Sequence, residues 1–473
     1  MTTRRLGMLP MAATRLLLTL LVSWGLTSLT GYAQDEASDL RVAVFQADAT
    51  PPLGSPVAYA PARKIEDPLS ARGIVLLGVG RPIVLCAVDW IGIGNTGHDI
   101  WRERLAAAAG TEPSRVAVHT LHQHDGIRCD FSAEELLAAH GLGGKRFDNL
   151  VARQTIERTA AAIQSAIVQA RRVTHVGLGQ AKVDKVASNR RILGPDGKVK
   201  LGRMSASRNP EAIAAPKGVI DPILKLLSFW DGDRPIVAIS YYATHPQSYY
   251  GKGDVTAEFV GLARAQREKE LSGLTCIHFN GASGNVAAGK YNDGSPAMRQ
   301  VLTDRMADGM RRAWTATERR PVTPGEISWS VQRVRLPAGK HLDASELQRT
   351  LTDTAAAEVD RLNAATKLSF LGRVHSGHAW ELSCLRIKDV YVLHAPGELF
   401  VEYQLAVQQM RPNATVCLAA YGDYGSGYIG TGIAYLQGGY ETSPRASNVA
   451  PEVEQILLSG FRQLLSGTAP ESP

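Results

Sequence analysis

The feature that most constrains this chain is a rhythm of short apolar runs, each closing on a polar residue, with helical patterns between them. Runs at 74–79, 83–88, 116–118, 236–243, 275–279, 388–393 and 415–421 are rich in aliphatic and aromatic residues. They have the length of strands, and turn-forming residues interrupt the chain around them. Stretches 98–109, 148–171 and 257–271 carry apolar residues at helical spacing; in the second, Ile156, Ala160, Ile163 and Ile167 share one face. Strands alternating with helices predict an α/β fold: a single large domain with a mostly buried mixed sheet flanked by helices. No internal repeat is visible. Ligands of such sheets bind beyond the strand ends, so the exit residues are the first candidates for function.

The densest exit is His119-Thr120-Leu121-His122-Gln123-His124-Asp125-Gly126, three imidazoles and a carboxylate directly after the run 116–118. His122 and His124 point the same way only if the strand continues through them. Neutral imidazole is the commonest metal ligand, yet a loop whose rings hydrogen-bond backbone carbonyls explains these eight residues equally well. Other runs end in Thr244-His245-Pro246, in Ala395-Pro396-Gly397-Glu398, and in an exit rich in glycine and tyrosine that carries Tyr424, Tyr428, Tyr435 and Tyr440. His375 and His378 fall in a loop without further site signals and are expected at the surface.

Residues 1–33 hold Arg4, Arg5 and Arg15 and no acid, then an apolar run at 16–22 and the small-residue end Gly31-Tyr32-Ala33. This predicts a secretory signal peptide cleaved after Ala33 and an exported protein, periplasmic or extracellular; the run is short for a membrane anchor. Loss of three arginines brings the formal charge from +7 to +4, too small an excess for a polyanion binder, and export removes nucleic acid as a partner. The mature domain is expected over 34–466, with a disordered tail at 467–473. Cys86, Cys129, Cys276, Cys384 and Cys417 form no Cys-x-x-Cys pair. They read as small core residues, with Cys129 the one placed to be reactive. The basic segment 189–218 reads as a solvated hairpin around Pro195-Asp196-Gly197, with one arginine facing a substrate.

In chain order, Asp48-Ala49-Thr50-Pro51-Pro52, Asp67-Pro68-Leu69, His122-Gln123-His124-Asp125-Gly126, Thr244-His245-Pro246, Gly284-Asn285-Val286, Pro396-Gly397-Glu398 and the stretch 428–441 resemble the N-terminal catalytic domain of the neutral/alkaline (non-lysosomal) ceramidases, over nearly the whole mature chain. The resemblance implies one Zn²⁺ per chain, with His122, His245, Glu398 and Tyr428 as its ligands. It implies that His124 handles the scissile amide, that Tyr440 lies near the substrate carbonyl and that Arg190 faces the substrate. The implied substrate is a small-molecule or lipid amide of the N-acyl sphingoid kind, with peripheral membrane contact and no protein partner. Two departures stand out. Where the family reads Gly-Asp-Val-Ser-Pro-Asn, this chain reads Gly284-Asn285-Val286-Ala287-Ala288-Gly289, so Ala287 occupies the catalytic serine position. The family's β-sandwich-like C-terminal domain has no counterpart after the helical run 453–465, and contacts from it are not expected.

Taken singly, His245 would cap a strand end, Glu398 would complement a helix N-terminus and Tyr428 would be a buried aromatic. At successive strand exits, the four side chains favour one shared site. Two imidazoles, a carboxylate and a phenol suit zinc, which acidifies a bound water and polarises a carbonyl. Amide or ester hydrolysis then proceeds through metal-bound water without a protein nucleophile. His124 is the candidate general acid/base, Tyr440 the oxyanion donor and Asp125 the orienting partner. Ser283 and Asn285 are substrate-side candidates, and Ser283 would also serve a serine hydrolase with a histidine base. The alternative class is a metal-bound, non-catalytic binding protein that has lost the ceramidase reaction, for which Ala287 is the main support.

Overall fold

Three times along the chain, an antiparallel meander of three strands is followed by a helix and a fourth strand parallel to the third. The computed structural model describes residues 39–466; the expected signal peptide and tail lie outside them. The strands of the first repeat are Arg41–Asp48, Ser70–Leu77, Ile83–Val88 and Val116–Thr120. Those of the second are His175–Lys182, Ile223–Asp231, Arg234–Tyr242 and Cys276–Asn280, and those of the third Ile327–Val334, Trp380–Ile387, Val390–His394 and Thr415–Ala419. A parallel pair needs a crossover, and helices Thr96–Ala109, Glu258–Glu270 and Val401–Met410 supply it. A second helix in each repeat, Asn149–Val168, Pro296–Thr315 or Val453–Ser466, packs on that repeat's first strand and beside its crossover helix. In the first two repeats a short strand, Arg171–Arg172 or Glu318–Pro321, then pairs with the outer edge of the first strand.

The mixed α/β class therefore holds, with the strands divided mainly among three sheets. The absence of a repeat, as read from the sequence, is corrected. The repeats share an order of pairing rather than residues: their third strands read IVLCAV, RPIVAISYY and VYVLH.

Strands Ile83–Val88 and Val390–His394 are buried along their whole length, as expected of strands covered on both faces. The three sheets meet in one core cluster that includes Ile74 and Leu85 from the first, Phe229 and Ile239 from the second, and Leu385 and Val392 from the third. Each such side chain contributes about 1.5–3 kcal/mol relative to exposure. The exits of the fourth strands are tied in a ring. Thr120 N donates to Tyr421 O (2.9 Å), Ala420 N to Asn280 O (3.0 Å), and Asn280 Nδ2 to Leu121 O (3.2 Å).

Several local expectations need correction. Segment 188–203 does contain a hairpin, Arg191–Leu193 with Val199–Gly202, but it is not simply solvated. Arg203 is buried and spends its guanidinium on the carbonyls of Asn189, Ala212, Ala215, Pro216 and Lys217. All five cysteines are free and buried; burial pushes the Cys129 thiol well up, so it is not a reactive thiolate. His375 is exposed at the end of helix Glu358–His375, whereas His378 is half-buried, edge-on to Trp380 and against Arg373. Among the described residues no helix is long and apolar enough to cross a membrane.

Candidate metal centre

The strand Val116–Thr120 stops before His122, so the extended arrangement expected to align His122 with His124 does not occur. His122 instead adopts a left-handed backbone, φ +64°. That strain, of order 1–3 kcal/mol, is held by hydrogen bonds from Leu121 N to Val88 O (2.8 Å) and from His122 N to Trp90 O (2.9 Å). The turn brings His124 Nε2 to 3.3 Å from His122 Nε2. Tyr421 stands at the matching place in the third repeat, two residues past its fourth strand, and is also left-handed, φ +62°. The two side chains stack, with ring centroids 4.5 Å apart.

Glu398 and Tyr428 reach the same point through a short parallel ladder in which Glu398 pairs directly with Tyr428. The ladder depends on Gly397, φ +64°, where a Cβ would lie 2.4 Å from Ser426 Oγ and 2.8 Å from Gly427 O. Gly284 permits the approach from the second repeat, since a Cβ there would meet Glu398 O at 2.4 Å. His245, three residues beyond the strand Arg234–Tyr242, completes the group. Its Nε2 lies 3.2 Å from Glu398 Oε2 and 3.3 Å from Tyr428 Oη, and His122 Nε2 lies 3.1 Å from the same carboxylate oxygen.

The hydrogen-bond wiring tests whether a cation fits. His122 Nδ1–H donates to Ile91 O (2.7 Å), and His245 Nδ1–H donates to Ser283 O (2.7 Å). A carbonyl only accepts, so in each neutral ring the Nε2 lone pair faces the centre. Burial lowers the pKa of His245 to about 4, keeping it neutral. Glu398 Oε2 is a buried carboxylate oxygen with no hydrogen-bond donor, faced by two lone pairs. His245 Nε2 also accepts from Arg190 Nη1 (3.2 Å), but nothing donates to Glu398 Oε2, and a cation at the centre would serve that oxygen. Two ligand atoms on one tetrahedral zinc are about 3.4 Å apart, close to the separations seen, and the His122, His245 and Glu398 ligand atoms lie within 4.8 Å of one another. The residues present fit a zinc-like ion.

His124 lies beside this centre. The expected orienting partner, Asp125, does not touch it: Asp125 Oδ1 accepts from Gly251 N (2.9 Å), and its other oxygen faces Arg299 at 3.9 Å. Tyr59 takes that place, with its hydroxyl 3.1 Å from His124 Nδ1. Arg190 does not face an open substrate site. It is buried, with Nη1 donating to Tyr428 Oη (3.1 Å) and Nε in an ion pair with Glu441 (3.0 Å). Ser283 is buried with its hydroxyl 2.7 Å from Tyr421 Oη and 3.4 Å from Asn280 Oδ1, and among the described residues no histidine ring is hydrogen-bonded to that hydroxyl. Asn285 is also buried, donating to Glu402 (2.8 Å) and accepting from Val401 N (2.9 Å), so it clamps a helix start rather than a substrate. Ala287 is fully buried in a two-residue strand opposite Ser188. Tyr440 is 45% exposed at the rim, with its ring 5.8 Å from that of Tyr428.

Two contacts escaped the sequence reading. Tyr424 Oη donates to Glu398 Oε1 (2.9 Å); its place in the tyrosine-rich exit was the available signal. Tyr59 sits in a loop with no chemical pattern around it. His124, Glu398, Tyr428 and Tyr440 line one cleft with about 1080 Å³ of free space, part of it open to solvent.

No family model matches the sequence, and no curated protein does. Solved structures do. The chain is similar to neutral ceramidase from Pseudomonas aeruginosa, with 19% identity and a TM-score of 0.67 over 92% of this chain and 76% of that one. It is also similar to a ceramidase complexed with C2, with 16% identity and a TM-score of 0.62 over 92% of this chain and 77% of that one. The fold of this chain is therefore that of the neutral ceramidases.

Proposed function

We propose that the protein is an exported, ceramidase-like, zinc-dependent hydrolase that cleaves an amide (or ester) bond in a small-molecule or lipid substrate. The observation that carries this reading is the buried Glu398 Oε2, which has no donor and is faced by the Nε2 lone pairs of His122 and His245. Zinc held by these three residues and Tyr428 supplies a Lewis acid and a water acidified to near neutrality, so that Ala287 in place of a serine does not end the chemistry. The likeness in fold to the ceramidases supports an amide as the scissile bond, and residues 1–33 support export.

His124 then moves the proton. With its Nδ1–H donated to Tyr59 Oη, Nε2 is the free base at the cleft floor, and burial keeps the ring neutral. Tyr440, at the rim, is the donor for the developing oxyanion. Tyr424 Oη holds Glu398 Oε1 and so fixes the rotation of the carboxylate.

Elemental analysis of the purified protein tests the reading. About one zinc per chain is expected, with acyl-amide turnover lost on chelation and restored by zinc. Protein without metal after non-chelating purification would sink it. The buried methyl of Ala287 favours one other reading, a metal-bound binding protein without catalysis. That reading requires stoichiometric metal, no turnover in the wild type, and turnover appearing in Ala287→Ser.

A further inference from the structure

The walls of the cleft differ from its floor. Around the opening stand Arg128, Arg146, Lys367 and Arg445, and the one carboxylate on the lining is Glu398, which belongs to the metal centre. Among the described residues none of the four cations takes part in an ion pair. Arg128 Nη1 donates to Ala58 O (3.2 Å), Lys367 Nζ to Pro444 O (3.0 Å), and Arg146 Nη1 to the amide oxygen of Asn363 (3.0 Å). Arg146 Nε is buried and has no partner at all. Several buried arginines elsewhere are matched by carboxylates, Arg264 with Asp89, Arg299 with Glu258 and Arg373 with Asp423, while buried Arg203 is held by backbone carbonyls and, like Arg373, also leaves its Nε unpartnered. A guanidinium with an unpartnered buried N–H is costly unless an acceptor arrives.

The apolar lining is thin. Val359, half exposed, is the sole branched aliphatic side chain on it, beside Ala58 and Ala446. A neutral long-chain lipid needs an apolar trough, and this cleft offers tyrosine hydroxyls and cations instead. A concave surface carrying one sign of charge concentrates ligands of the other, and arginine forks match planar oxyanions. The formal charge of the whole chain, +7, does not show this local clustering.

Resting on the hydrolase reading above, we propose that the substrate is an acylated compound bearing an oxyanion, carboxylate, sulfate or phosphate, which Arg128 and Arg146 bind while its amide lies over the metal centre. Arg128 stands on the His124 side: its charge acts on both His124 and Tyr59. Arg146 acts on Tyr59 and Tyr424 from beside it. Lys367 and Arg445 extend the positive wall towards the rim.

The test uses the zinc-loaded full chain and three probes: N-octanoylglycine, its neutral counterpart N-octanoylglycinamide, and N-hexanoylsphingosine. Binding is measured by calorimetry and turnover by amine release. The anionic probe should bind at least about tenfold more tightly than the neutral amide, with inorganic phosphate and sulfate competing and added salt weakening it. Arg146→Met and Arg128→Met should abolish that preference while zinc content stays at about one per chain, and Arg445→Ala, at an exposed position, should reduce it about threefold. Equal or absent binding of the anionic probe, tighter binding of N-hexanoylsphingosine, or a preference that survives both arginine variants would overturn the proposal. Failure of the hydrolase reading looks different, since a preparation without zinc or turnover can still discriminate the anionic probe in the calorimeter.

Discussion

Two pairs of buried histidines have the same ring separation, 5.0 Å, and opposite wiring: His122 with His245, and His119 with His394. In the second pair His119 Nδ1–H donates to Ala420 O (2.7 Å), and His394 Nδ1–H donates to His119 Nε2 (3.0 Å). Every proton in that chain has an acceptor and no carboxylate intervenes, so the pair calls for no cation; the one atom left without a partner is His394 Nε2, a neutral lone pair. In the first pair both Nδ1–H groups are used on carbonyls and both Nε2 atoms face one carboxylate oxygen that no group donates to, an arrangement that fits a cation. Proximity of imidazoles does not by itself make a metal site; the direction of the protons decides.

The largest effect should come from changing the carboxylate. Glu398→Gln removes the anion and supplies an amide N–H₂ that can donate to a facing Nε2. Zinc content and turnover should fall to background, while the metal-free variant should melt at or above the temperature of metal-free wild type. A metal-free Glu398→Gln protein clearly less stable than metal-free wild type would break the contrast, because it would mean that the carboxylate is already satisfied without a cation.

His124→Gln comes next. Its ring neighbours the centre without being wired into the backbone, so the variant should keep about one zinc per chain and lose about 10²–10⁴-fold in kcat. Loss of zinc in this variant would make His124 a ligand rather than a proton carrier.

The strand exits were legible because third and fourth strands are apolar along their length and are followed by residues with no place in a core; the choice of His122, His245, Glu398 and Tyr428 among those exit residues came from the resemblance to the ceramidases. What joins them was not legible. The left-handed turn at His122 depends on carbonyls of Val88 and Trp90, more than thirty residues earlier in the chain. The three repeats share hydrogen-bond order rather than letters. Asp125, next to His124 in sequence, turns to Gly251 and Arg299, while Tyr59, 65 residues away, supplies the contact. Ser283 and Asn285 lie in a glycine-rich turn, and their contacts are with Tyr421, Glu402 and Val401. Sequence adjacency is a poor guide where side chains from three sheets meet.

The second histidine pair offers a smaller effect. His119→Leu leaves Ala420 O without its donor and His394 Nδ1–H without its acceptor, at about 1–3 kcal/mol for each unpaired group. The midpoint of urea unfolding should fall accordingly while zinc content and kcat stay near wild type. A variant that loses zinc would show that the two pairs act as one unit.

Acid should separate the pairs most finely. Burial lowers His119 from its ordinary 6.5 to about 3, with the Ala420 carbonyl opposing it, and lowers His278 likewise to about 3. In that window the unfolded chain binds protons that the folded chain refuses, so protons favour unfolding. The stability contributed by the neutral rings is therefore complete above about pH 6.5 and is lost progressively as pH falls towards 3. In metal-free protein, where release of zinc cannot contribute, the urea midpoint should decline steadily from pH 7 to pH 4.5, and the decline should be shallower in His119→Leu, which has one fewer ring to protonate. An identical slope in the two proteins would mean that His119 is already open to protons in the folded state, and its apparent role as a closed, neutral link would fail.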